Sequence, residues 1–358
     1  MVVAAAAPPT LPPTIQLDPD GDLLLRVGTK LLYPKPRVFK VCSAALRRAS
    51  PVWKAMLFGP FTEAKPAHGD WIVELPEDDP DTLMVLLGLL HGVFEVVPPT
   101  VSLTVLYGVL IVADKYAMVH LLRPVVNAWA GVVKIPTLPP IDPVDAGASS
   151  VPCHITPFYR IHAAWQLGCD TLVAQDMASF IFNFSRQGQS FTLQDWPILP
   201  SSHHGPPDLI EVVTKLRRSL LQSLLDFYQA EVACRMPPKT ACIHTVYGST
   251  PQGALCDSLA LGAMWRRLES SGGSRLPKTA TQYDGSPNEL MKALRGMFSQ
   301  LPAYSTSHEK CLPGKKFEHF EKQTRLDERW RNPLQPHHKE QMQKHRERCG
   351  LSPTWNAA

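Results

Sequence analysis

The chain has 358 residues, 44% of them apolar, which is enough for two or three domains with a sizeable core. Its formal net charge of +4 is small for that length and implies no general affinity for nucleic acid. No apolar run reaches the ~18 residues of a membrane helix, and Met1 to Pro9 lacks the basic start of a signal peptide, so an intracellular protein away from membranes is expected, cytoplasmic or nuclear, its eight cysteines mostly reduced.

Residues 1–17 are rich in Ala and Pro without a repeating face and are expected to be disordered. Asp18-Pro19-Asp20-Gly21-Asp22 is turn chemistry, and Leu23 to Val27 reads as a buried strand. Arg37 to Val41 alternates basic with apolar residues, as a half-exposed strand does. Ser43 is a suitable N-cap for a helix carrying Leu46 and Ala49. Ser50-Pro51 opens a second helix with Trp53 and Met56, because proline is tolerated at the first helical position and serine caps it. Trp71 to Leu75 is a third strand. Asp78, Asp79 and Asp81 form a solvated acidic start for the helix Thr82 to Leu90, which stops at His91-Gly92. Ser102 caps a helix with Leu103, Leu106, Tyr107, Leu110 and Ile111 on one face, and Lys115 to Ala130 adds a last amphipathic segment.

In that order, these motifs resemble a BTB/POZ domain. They are the Asp-Gly-Asp strand, the Phe39-Lys40-Val41 strand, the Leu46 to Trp53 helix pair, the strand running into Leu75-Pro76-Glu77-Asp78, the helix ending Leu90-His91-Gly92 and the helix ending Ala113-Asp114-Lys115-Tyr116. Similar patterns occur in BTB proteins of filamentous fungi. The resemblance covers residues 18–131, about a third of the chain. It implies an α+β fold, with a short sheet at one side of a cluster of helical hairpins, followed here by a mostly helical region.

Residues 132–157 read as a Pro-rich linker. Residues 158–232 read as a helical extension: helices over 158–168 and 172–184, a proline-rich loop over 185–207 with His203-His204, and a long helix from Leu209 to Glu231. That helix carries Ile210, Val213, Leu216, Leu220, Leu224, Phe227 and Tyr228 on its apolar stripe. Residues 233–314 are a helical region containing Cys and His. Residues 315–358 read as a charged, partly disordered tail. Lys315 to Arg348 holds ten Lys and Arg against six Asp and Glu, and Trp330 and Trp355 could mark a docking spot.

The candidate metal ligands are Cys234, Cys242, Cys256, His308 and Cys311, since thiolate and imidazole are the donors of structural zinc and a closed site needs four. His308 and Cys311 are spaced as a knuckle, but there is no C-x2-C pair. Three readings stand: structural zinc, packing or a conditional disulfide, and unrelated buried thiols. No G-x-S-x-G elbow, P-loop, G-x-G-x-x-G or H-E-x-x-H is present, so no enzymatic activity and no other cofactor are expected. Asp20-Gly21-Asp22 is a turn rather than a calcium loop. His203-His204 and His337-His338 are expected in exposed loops.

The BTB/POZ resemblance implies protein–protein interaction, either self-association as a homodimer or scaffolding of a partner. Trp53, Met56, Phe61 and Glu63 are the residues expected at that surface. Cullin-3 ubiquitin-ligase adaptors of this family use a hydrophobic-x-Glu element, and Phe61-Thr62-Glu63 sits at about that place. Residues 131–358 lack the kelch, MATH, zinc-finger or ankyrin modules with which such adaptors read substrates. A third expectation is a nuclear, chromatin-associated regulator acting through the basic tail.

Overall fold

The computed structural model describes residues 14–135, 157–187, 190–193, 196–197, 205–244, 251–270, 276–299 and 301–355. They fall into two units. The first takes the described residues of Met1–Thr137, Pro152–Leu172 and Pro336–Ala358, and the second those of Leu138–Val151 and Val173–Gln335. The protein is α+β: small sheets and a large helical content. Among the described residues, no helix is long and apolar enough to cross a membrane.

In the first unit a four-stranded sheet has the order β1-β3-β2-β4. Strand β2 (Leu23–Val27) pairs antiparallel with β3 (Arg37–Val41), Leu25 opposite Phe39. Leu23, Leu25 and Val27 are buried, while Leu24 and Arg26 between them are half-buried, so the period of two places one face in the core. Strand β4 (Ile72–Leu75) returns parallel to β2, which requires a crossover. That crossover contains the helix pair α1 (Ser43–Ala49) and α2 (Pro51–Phe58).

Strand β1 (Thr14–Gln16) pairs parallel with β3, so the end of the expected disordered tail is ordered; residues 1–13 lie outside the described residues. The sequence shows no apolar pattern there because backbone pairing, not burial, holds the strand.

Helix α1 is capped differently from expectation. Ser43 is its first residue, and its amide and hydroxyl both donate to the Asp22 carboxylate, each at 2.8 Å. A side chain from the preceding strand turn thus satisfies an N-terminal amide of the helix. Ser50 caps α2 as expected, accepting from the Trp53 amide at 3.0 Å, and its hydroxyl also donates to the Tyr116 carbonyl at 2.5 Å. Helix α3 (Pro80–His91) is capped by Asp79 and ends at Gly92, whose φ of 73° is the left-handed conformation that glycine adopts without strain. Asp78 is not solvated. It is buried, and accepts from the Tyr116 hydroxyl and the Lys115 ammonium at 2.5 Å each. The Tyr116 hydroxyl belongs to the turn after α4 (Leu103–Lys115), and burial together with Asp78 pushes its pKa up. Two 3-10 turns and α5 (Val126–Trp129) replace the single amphipathic segment expected after α4, with Leu122 and Trp129 buried.

The rest of the first unit comes from far along the chain. Helix α6 (Pro157–Gln166) stacks Tyr159 on Tyr107 of α4, with ring centroids 4.1 Å apart. Helix α13 (Pro336–Cys349) packs on α6, and the His345 Nδ1 lies 3.1 Å from the Trp165 carbonyl oxygen. Gly168, at φ 70°, is where α13 comes closest; a Cβ there would collide with the Met342 carbonyl. His337 is exposed as expected, but His338 is fully buried, edge-on to Trp165.

The second unit contains α8 (Leu209–Ala233), α9 (Pro251–Ser270), α10 (Pro287–Ser299), α11 (Gly314–Leu326) and α12 (Glu328–Arg331). Helix α7 (Asp170–Asn183) contains the division between the units. The expected stripe of α8 is buried or half-buried except at Ile210, which is exposed. Phe227 of α8, Phe298 of α10 and Phe317 of α11 form an aromatic core with centroid separations of 5.3–5.9 Å.

Two expectations fail here. Residues 185–207 are not only loop: β5 (Ser185–Gln187), β6 (Ser190–Leu193) and β7 (Trp196–Pro197) form a second, antiparallel sheet. The charged tail is helical and packed, with Phe317, Trp330 and Met342 buried, so Trp330 is not a docking spot. Its charges are partly used internally, since buried Glu321 accepts from both Arg295 and Arg325. Most of the expected linker, together with Cys153 and His203-His204, lies outside the described residues.

The Asp22 cap makes a pH-dependent prediction. Burial raises the Asp22 carboxyl, but the Ser43 amide and hydroxyl outweigh it and hold the group below its ordinary value. Its contribution is therefore present above pH ~4 and is lost as pH falls through the lowered value. Asp22→Ala is expected to cost about 1 kcal/mol or less at neutral pH, a cap energy discounted for solvent exposure. In thermal melts the gap to the native chain should close below pH ~4; a gap that persists there would refute the cap.

Candidate metal centre

Two stretches with little regular structure meet helix α9 in the second unit. Helix α8 ends at Cys234, and Pro237-Pro238 cannot continue it. The chain then turns through Thr240-Ala241-Cys242 before the described residues resume at α9. A 3-10 helix over Thr306–Cys311 precedes α11.

The two stretches and α9 contribute donors to one cluster: Cys242, Cys256 of α9, and His308 and Cys311 of the 3-10 helix. All four are buried, and their donor atoms lie within 4.8 Å of one another. Cys242 Sγ is 3.3 Å from His308 Nδ1, Cys311 Sγ is 3.9 Å from that nitrogen, and the Cys242 and Cys311 sulfurs are 3.9 Å apart. The H-x2-C spacing works because a 3-10 helix has three residues per turn, so residues 308 and 311 share one edge.

Cys234 is not part of it. Its thiol donates to the Glu231 carbonyl at 3.3 Å, a contact within the end of its own helix. No disulfide joins the described cysteines. Burial, and then the neighbouring Cys311 and Cys242 thiols, push Cys256 up to about 12. Burial likewise raises Cys311.

A polar shell holds the donors in place. Asp257 follows Cys256 on α9, and its Oδ2 accepts from the Thr240 hydroxyl at 2.6 Å and the Ala241 amide at 3.1 Å. The Thr240 oxygen in turn accepts from the Cys242 amide at 3.2 Å. Arg235 is buried; it donates to Glu231 Oε2 at 2.6 Å and to the Cys311 carbonyl at 2.9 Å, and stands 4.0 Å from Asp257 Oδ1. Sequence reading missed Arg235, Thr240 and the role of Asp257. The one available signal was Asp257 beside Cys256, which lie inside α9 rather than at its start.

The residues expected at a partner surface separate in the first unit. Trp53 is fully buried and stacks on Tyr116, centroids 4.7 Å apart, so it is a core residue and meets no partner. Met56 and Glu63 are half-buried, and the Glu63 carbonyl accepts from the Trp71 indole at 2.9 Å. Phe61 is 56% exposed. Val52 and Phe58 of α2 are exposed too, and a shallow groove beside them is lined by Arg47, Pro51, Lys54, Ala55, Phe58 and Gly59.

Arg235→Met leaves buried Asp257 without its cation and Glu231 with only the exposed Lys316, 3.5 Å away, and should destabilise the chain by about 3–5 kcal/mol in denaturant unfolding. Adding Glu231→Gln should recover part of that loss; a neutral single variant would show that the network holds nothing. Trp53→Ala should cost about 3–5 kcal/mol, and Phe61→Ala less than about 0.5, measured the same way. Equal effects would contradict their opposite burial. Compared with protein-family models, curated proteins and solved structures, the chain matches none.

Proposed function

We propose that the chain is a protein-interaction protein whose first unit is of BTB/POZ type and acts by pairing with a second copy or by scaffolding another protein. The observation that carries this reading is the order and register of the first unit. The β2–β3 hairpin leads into the α1–α2 pair, β4 returns parallel to β2, and α3 and α4 follow. A short sheet beside helical hairpins in that order is what the sequence resemblance implies. The exposed apolar residues Val52, Phe58 and Phe61 beside Arg47 and Lys54 support a docking role for the α2 face, because exposed apolar residues rimmed by charge favour association. The reading includes no bond-making step.

One observation favours a second reading as a cullin-3 adaptor: Phe61 of the Phe61-Thr62-Glu63 element is accessible.

Light scattering on the eluted native chain at tens of micromolar separates these readings. Self-pairing predicts a dimer mass that falls toward the monomer in Phe58→Glu with the melting temperature unchanged, since a charge on an apolar interface opposes association. A native monomer would overturn self-pairing. The adaptor reading predicts capture of cullin-3 that Phe61→Ala and Glu63→Ala weaken at least tenfold, and capture unaffected by both would remove it.

A further inference from the structure

We infer that Cys242, Cys256, His308 and Cys311 hold a single structural zinc ion in the second unit. This does not depend on how the first unit is used.

The first support is geometric. A tetrahedral zinc with bonds of about 2.3 Å to sulfur and 2.0–2.1 Å to nitrogen has S–S edges of about 3.8 Å and S–N edges of about 3.6 Å. The observed separations are 3.9 Å for Cys242 and Cys311, 3.3 Å for Cys242 and His308, and 3.9 Å for Cys311 and His308. These three edges match the tetrahedral values to a few tenths of an ångström, and Cys256 Sγ lies within 4.8 Å of each of the three donors.

The second support is chemical. Three thiols and an imidazole are a soft donor set that selects zinc over magnesium or calcium, and four protein donors close the coordination shell. No position is left for a water or a substrate, so the centre is structural and not catalytic. On binding, the three thiols release three protons to solvent, and the imidazole binds as the neutral ring through Nδ1. The ion and three thiolates carry a net single negative charge. The buried Arg235 guanidinium lies nearby, bonded to the Cys311 carbonyl.

The third support is what the cluster joins. Thr240 to Cys242 and the Thr306–Cys311 turn belong to neither a strand nor an α-helix of their own. Backbone pairing does not hold them to α9, and an ion bonded to all three stretches does. Asp257, Thr240 and Arg235 are the outer hydrogen-bonding layer that orients metal ligands. The other readings account for less. A Cys242–Cys311 disulfide, with its bond of about 2.05 Å, leaves Cys256 and His308 buried without a role. Apolar packing of thiols gives no reason for a buried imidazole among them.

The test uses the full chain, purified without chelator or added metal. Elemental mass spectrometry should find about one zinc per chain. Cys256→Ala and Cys311→Ala should each drop below half of that, while Cys234→Ala keeps it. Because the ligand variants may unfold, the native chain is also stripped and titrated with cobalt(II). Tetrahedral thiolate coordination predicts intense visible bands and a near-ultraviolet thiolate-to-cobalt charge-transfer band, both reversed by zinc. Less than half an equivalent of zinc with only a pale octahedral cobalt spectrum would overturn the inference, as would a Cys242–Cys311 disulfide recovered by peptide mapping of the native chain.

Discussion

The fold buries the Arg235 side chain almost completely. A guanidinium in that position has to be surrounded by acceptors, and it finds them on separate pieces of chain: Glu231 on α8, the Cys311 carbonyl at the end of the 3-10 helix, and Asp257 of α9 close by. The three pieces are thereby fixed to one another. The sulfur cluster inherits its geometry from this constraint, because Asp257 positions the backbone before Cys242 and Arg235 holds the backbone of Cys311.

The first unit is built around the opposite charge. Asp78 is buried and satisfied by Lys115 and Tyr116, which tie the start of α3 to the end of α4. The Tyr116 ring then stacks on Trp53, and its carbonyl receives the Ser50 hydroxyl, so the start of α2 is fastened to the same point. A buried carboxylate with a full set of donors orders its surroundings strongly, because any rearrangement would strand a charge in an apolar medium. Buried charges with full sets of partners therefore tie elements together in each unit, and apolar packing fills the space around them.

This division of labour explains what was readable in advance. A short apolar run placed β2, alternation of basic with apolar residues placed β3, the Ser50-Pro51 cap placed α2, and the 3.6-residue stripe placed α8, because each is a local pattern. The cap of α1 was misread, since Asp22 acts across a turn and leaves no mark near Ser43. The tail was misread because its high charge suggested solvent. Its buried positions recur at helical spacing, as in Phe317, Glu321, Thr324 and His338, Met342, His345, Cys349, but most are polar and show no apolar stripe, and Glu321 pairs with Arg325 of the tail and with Arg295 outside it. Strands β1 and β5 to β7 are too short to show a period.

The sequence by itself determined the α+β class, most of the helices, and the residue types from which the cluster is drawn, since these follow from local periodicity and from the chemistry of Cys and His. Only the tertiary structure decided that Cys234 is excluded while Cys242, Cys256, His308 and Cys311 converge, because the convergence spans about seventy residues of chain and rests on Arg235 and Asp257. Only it decided that Trp53 belongs to the core and Phe61 to the surface, because an aromatic residue reads the same in sequence whether its ring stacks on a distant tyrosine or faces water.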